Sequence, residues 1–161
     1  MTHRAIQNAK DQSAKLLLMN PIAFRQLATI PIEESKETRT AATDGNTIFF
    51  NVSYAEGLSD KEIRGLLIHE LLHILGEHGL RRGDFHPELW NIATDLVING
   101  EIVRSDRFGK DFTLPKNIHF HKIYSSVGWR AEEVAHNLLQ RGWKPPEKKR
   151  EEPPNDGLVC T

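Results

Sequence analysis

The sequence has 161 residues, a net charge of −1 from 21 Lys plus Arg against 22 Asp plus Glu, and a single cysteine, Cys160. That length suits one domain with its own core, one cysteine excludes an internal disulfide framework or a cysteine-rich zinc finger, and the balanced charge argues against a broadly basic nucleic-acid binder. No apolar run reaches the ~20 residues of a bilayer span or the ~7–15 of a signal-peptide core, so a soluble, cytoplasmic protein with no membrane partner is expected.

Residues 4–19 carry Ile6, Ala9, Ser13, Leu16 and Leu17 near a 3.6-residue spacing and predict a helix that Asn20-Pro21 ends. Residues 22–28 suit a short second helix, and the polar stretch 33–40 reads as a loop. Asp44-Gly45 between residues 38–43 and 47–52 predicts a hairpin, because the flanks are β-branched and aromatic and the dipeptide tolerates positive φ. Ser59-Asp60-Lys61-Glu62 reads as a capping box. A long apolar helix follows with Ile63, Leu66, Leu67, Leu71, Ile74 and Leu75, loosened at Gly76 and Gly79. Pro87 opens another buried helix over 87–103, residues 104–128 are mixed, and 126–140 form a last amphipathic helix. Residues 144–157 hold four prolines and no apolar residue, so a domain over 1–143 and a disordered polar tail over 144–161 are expected.

The chemistry lies in His69-Glu70-Leu71-Leu72-His73, a His-Glu-x-x-His motif on the strongest helix. Residues i and i+4 stand one turn apart on one helix face, so two imidazoles can converge on one Zn²⁺. Glu70 follows the first ligand and is placed to act as general base on a metal-activated water. Burying two histidines and a carboxylate among aliphatics without a cation is costly, which disfavours ordinary packing residues.

An open catalytic zinc site takes three protein ligands, and two residues compete for the third place. Asp95 lies in an otherwise apolar helix, on a polar i, i+4, i+8 stripe with Asn91 and Asn99. A second-shell contact to a ligating histidine is its alternative role. His78 stands five residues from His73, which rotates it about 140° away on a regular helix unless Gly76 breaks the turn. Asp95 is the favoured ligand and His78 the alternative.

Residues 63–103, with His69-Glu70-x-x-His73, His78, Arg81-Arg82, Pro87-Glu88-Leu89-Trp90-Asn91-Ile92-Ala93-x-Asp95 and Ile98-Asn99, resemble the metallopeptidase domains of bacterial and phage proteins that usually precede a von Willebrand factor A-like domain. Thr43-Asp44-Gly45 with the strand to Asn51, and Gly128-Trp129-Arg130-Ala131-Glu132-Glu133-Val134, extend the likeness over roughly residues 5–140. The resemblance implies an α+β, zincin-like fold: mainly helical, with a small sheet over about residues 38–52 near the motif helix. It also implies association with a von Willebrand A-like domain, and a partner protein carrying one is expected. Many zincins bind extended peptide along an edge strand; residues 48–52 are the candidate, a buried central strand the alternative.

Tyr54, His119, His121 and Tyr124 are oxyanion-donor candidates, with ordinary surface or packing roles the favoured alternative for each, and His119 and His121 share one face by strand-like alternation around Phe120. Arg81, Arg82 and Arg104 read as a solvated face, Trp90, Trp129 and Trp143 as core or rim, and Cys160 as incidental. The expected function is a zinc-dependent hydrolase acting on protein or peptide, with His69, His73 and Asp95 on the metal and Glu70 as base. A catalytically inactive metal-containing scaffold module and a nucleic-acid-associated protease are the alternatives.

Overall fold

The computed structural model describes residues 2–147 and the backbone of Val159 and Cys160. Helix α1 (Arg4–Met19) buries Ile6, Ala9, Gln12, Ser13 and Leu16 along one stripe. Asn20 stops it and starts the next turn: its side chain accepts from the Ala23 N–H at 3.1 Å, and Pro21 opens α2 (Pro21–Phe24). A 3₁₀ turn (Arg25–Thr29) completes the short second helix that the sequence suggested.

The hairpin forms as β2 (Ala41–Thr43) and β3 (Ile48–Phe50), paired antiparallel. Its turn is fixed locally. The Asp44 carboxylate accepts from the Asn46 and Thr47 N–H groups at 2.9 and 2.8 Å, and Gly45 takes φ 96°. The polar stretch expected to be loop instead begins as a strand, β1 (Ile32–Glu34), parallel to β3. Only Ile32 of the three is buried, which is why an edge strand here reads as polar sequence. β3 therefore lies between β1 and β2, the central alternative rather than an open edge. Beyond it, Asn51 caps a five-residue helix, α3 (Val52–Glu56), too short to leave a period in the sequence.

The predicted capping box opens α4 (Asp60–Leu75), with the Ser59 hydroxyl accepting from Glu62 N–H and the Glu62 carboxylate from Ser59 N–H, both at 3.2 Å. Every residue of α4 from Ile63 to His73 is buried, so this helix is the central rod rather than a surface helix. Glu77, at φ 53°, breaks the chain into a single turn, α5 (His78–Arg81), where the sequence suggested the loosened end of the preceding helix. α6 (Pro87–Arg104) then crosses the molecule. The last helix, α7 (Ala131–Gln140), starts five residues later than predicted, after Gly128 at φ 101°. That conformation cannot continue a helix, and the Glu133 carboxylate accepts from Arg130 N–H at 3.0 Å to close the start.

Two apolar clusters result. One joins α1, the sheet, α4 and the end of α6 through Ile98 and Ile102. The other joins the opposite face of α6 (Leu89, Trp90, Ala93, Leu96) to α7 through Val134 and Ala135. The fold is α+β, mainly helical with a small mixed sheet ordered β1-β3-β2-β4. β4 (Val159–Cys160) pairs antiparallel with β2, so this part of the expected tail carries strand backbone. The rest of that tail beyond residue 147 lies outside the described residues. Among the described residues no helix is long and apolar enough to cross a membrane.

Candidate metal centre

The seam between α4 and α6 holds the site. His69 and His73 occupy one face of α4, and Asp95 faces them from α6. Their Nε2, Nε2 and Oδ1 atoms converge. His69 and His73 are 2.9 Å apart, His73 and Asp95 3.1 Å, His69 and Asp95 3.3 Å. All three side chains are at most 3% exposed.

Donor atoms of a tetrahedral zinc shell with bonds of about 2.0–2.1 Å stand about 3.3 Å apart. The three atoms match that spacing, a little contracted. The tautomers match as well. The Asn99 amide donates through Nδ2 to the His119 carbonyl at 2.8 Å, so its Oδ1 accepts from His69 Nδ1–H at 2.7 Å. With Nδ1–H on Asn99, neutral His69 would turn its Nε2 lone pair to a bound cation, whereas protonated His69 donates from the same nitrogen to Asp95. A lone pair, a second imidazole and a carboxylate meeting in a buried site are the donor set that a divalent cation satisfies. Among the described residues His69, His73 and Asp95 form the group of metal-ligating side chains close enough to hold an ion.

The electrostatics agree. Burial pushes the Asp95 carboxyl up, but hydrogen bonds and charge from His69 and His73 overcome this and hold it at about 2. Burial, then the neighbouring His69 charge, brings His73 down to about 4, against the pull of Asp95. For His69 burial works downward too, yet the Asp95 hydrogen bond and the Asp95 and Glu70 charges raise it overall. Asp95 thus stays ionised and His73 stays neutral, the forms that ligate metal. Glu70 follows His69 on α4 and is fully buried beside the pair.

His78 does not join the ligand atoms. The helix breaks after Gly76, as the alternative reading required, and α5 swings His78 back toward His73. It arrives one layer too far out: His78 Nδ1 lies 3.1 Å from His73 Nδ1, the nitrogen pointing away from Asp95. With His73 Nε2 turned to the site, its Nδ1–H donates and His78 Nδ1 accepts. The turn is tightly held. Trp90 Nε1–H donates to the His78 carbonyl at 2.7 Å, and Arg81 donates to the Gly76 carbonyl at 2.8 Å while gripping Glu132 of α7 at 2.8 and 3.0 Å. Burial, then the charges of His73 and Arg81, lowers His78 to about 3. Gly76 has αR backbone, but a Cβ there would lie 2.6 Å from His78 Nε2, so the glycine makes room for the ring.

A cavity of about 300 Å³ opens beside His69 and Asp95, bordered by Thr40, Tyr54, Lys116 and His119. Of the four oxyanion candidates it gathers Tyr54 and His119. Tyr124 instead donates to Asn137 at 2.7 Å and packs on Trp129, with His121 against its ring. Residues 119–121 are irregular and all exposed, so the expected alternation does not form. Arg81 is no free surface cation but the strut just described, and Trp90 is core. Asn99 was visible in sequence only as a member of the polar stripe. Its spacing of four from Asp95 was the signal that it shares the site.

A family model described as "Putative metallopeptidase domain" matches residues 5–158. No curated protein and no solved structure matches the chain.

Proposed function

From the premise that the chain belongs to that metallopeptidase-domain family, we propose that it is a zinc-dependent peptidase with a zincin-like His-Glu-x-x-His centre. The observation that carries this reading is the convergence of His69 Nε2, His73 Nε2 and Asp95 Oδ1 within 3.3 Å in a buried seam beside an open cavity. His69, His73 and Asp95 hold the metal. Bound zinc supplies a Lewis acid that polarises a scissile carbonyl and makes water nucleophilic near neutral pH. Asn99 and His78 keep the two imidazoles turned inward. Glu70 takes a proton from the attacking water and passes it to the leaving amine. Tyr54 and His119 are the donors placed to meet the developing oxyanion. The substrate is a protein or peptide, and a protein bearing a von Willebrand factor A-like domain is the proposed partner.

Glu70→Gln tests this directly. The variant should hold zinc like wild type and lose at least about 100-fold in turnover, the scale of a general-base contribution. A proteome-wide cleavage comparison of the two proteins gives the readout. Equal cleavage by both would overturn the mechanism, and no cleavage by wild type would leave a metal-holding scaffold.

A further inference from the structure

Leu114 and residues 116–119 line the cavity beside the metal centre, and both ends of the 111–119 strap they belong to are fastened to the helices that carry the ligands. On the α4 side, the buried Arg64 donates through Nε to the Asp111 carbonyl at 2.7 Å and pairs with its carboxylate at 3.3 Å. Thr113 N–H donates to the Lys61 carbonyl at 3.1 Å. Gly65 lies directly under the Thr113 carbonyl, where any Cβ would overlap it. On the α6 side, the Asn99 amide that orients His69 also holds the His119 carbonyl at 2.8 Å. Between these anchors the chain turns at Lys116 and Asn117, with Asn117 at φ 65°. The Lys116 side chain therefore borders the cavity from a loop indexed to the metal ligands themselves.

Apart from Asp95 the cavity lining holds no acidic side chain, and it holds one lysine, Lys116. Asp95 Oδ1 meets both His69 and His73, and both ends of the Asn99 amide are used. Lys116 and Tyr54 line the space together with Thr40, Asn117 and His119, and the Tyr54 proton is held more firmly than usual by burial and the Glu62 charge. Among the described residues Lys116 has no ion-pair partner. Leu66, Leu114 and Ile118 supply an apolar wall. A cation and a hydroxyl donor above aliphatic side chains fit a carboxylate at the end of a short apolar stem.

Resting on the peptidase reading of this site, we propose that the cavity selects peptides carrying a carboxylate next to the scissile bond, with Lys116 as its counter-charge. That carboxylate is either a free C-terminus or an Asp or Glu side chain. The two sources are separable by titrating zinc-loaded, full-chain Glu70→Gln with three matched pentapeptides in a calorimeter. One is a C-terminal acid, one its amide, and one an amide with Glu in place of Gln. A carboxylate-bearing peptide should bind about tenfold more tightly than the plain amide, the scale of one charge-assisted contact. The peptide that shows the gain identifies the source. Lys116→Ala should erase the gain and Lys116→Glu reverse it, with zinc content unchanged.

Equal binding of all three peptides, or a gain that survives Lys116→Ala, overturns the proposal. Wild-type turnover of the same peptides separates the two readings. Hydrolysis without carboxylate preference sinks the selectivity alone. Carboxylate-selective binding without hydrolysis sinks the peptidase reading and leaves the selective cavity standing. No binding of any peptide sinks both.

Discussion

Gly76→Ala is the sharpest probe of how the metal centre is held. Taken alone, the substitution should help: residue 76 has φ −79° and ψ −6°, which alanine adopts freely. Replacing glycine at such a site typically stabilises by about 0.4–1 kcal/mol through the unfolded chain. The new Cβ, however, would stand 2.6, 2.9 and 3.0 Å from three atoms of the His78 ring. That ring cannot simply rotate away, because His73 meets it at 3.1 Å and the His78 carbonyl is held by Trp90 at 2.7 Å. Overpacking of this kind costs about 1–3 kcal/mol, and losing the His73–His78 contact leaves a buried N–H unpaired at a similar cost. A net loss of about 1–5 kcal/mol is expected, together with a fall of about 10–100-fold in zinc affinity, the usual effect of disturbing a group that orients a ligand. The decisive comparison is the double variant. In a His78→Ala background the clash is gone, so adding Gly76→Ala should become neutral or stabilising. Urea unfolding of the metal-free proteins and zinc competition against a chromophoric chelator read both quantities for all four members of the cycle. Additive costs would refute the packing argument, because they would show that Gly76 and His78 do not meet.

Other outcomes follow from the same geometry. Asp95→Asn preserves shape but removes the charge that faces both imidazoles within 3.3 Å; stoichiometric zinc, measured by atomic absorption after dialysis, should be lost. Arg81→Ala removes the grip on Glu132, a pair about one-third exposed, so a loss of about 1 kcal/mol in unfolding free energy is expected. It should be accompanied by weaker zinc binding because α5 carries His78. The metal-free protein should also be acid-labile. His73 and His78 are held at about 4 and about 3, against 6.5 when unfolded. As pH falls from about 6.5 through these values the unfolded chain binds protons that the folded one refuses, so both withdraw stability. His69 has the opposite sign, being raised, and adds stability below 6.5 that is lost as pH rises through its folded value. The two lowered groups should dominate, and the decline in urea midpoint between pH 6.5 and 4 should shrink in His78→Ala.

What the sequence made legible was set by local physics. The α4 helix, its capping box, the hairpin turn at Asp44-Gly45 and the start of α6 at Pro87 each depend on residues within a turn or two of one another. The pairing of His69 with His73 was readable for the same reason, since one helical turn dictates it. Asp95 was readable as an unexplained charge on a buried face. Other features needed the folded chain. β1 has one buried residue and reads as loop until β3 pairs with it. α3 and α5 are too short for periodicity. The outer position of His78 depends on the left-handed Glu77, whose side chain carries no signal for that conformation. Asn99 joins His69 to the 111–119 strap across twenty residues, and no spacing rule anticipates that bridge.

The most direct measurement is zinc K-edge X-ray absorption on the zinc-loaded protein. Convergence of His69, His73 and Asp95 predicts one zinc per chain with a nitrogen and oxygen shell at about 2.0–2.1 Å, and multiple scattering from two imidazoles. In Asp95→Asn that shell should be lost, whereas His78→Ala should leave the two-imidazole signature in place. A three-imidazole signature that falls to two in His78→Ala would contradict the site assigned here.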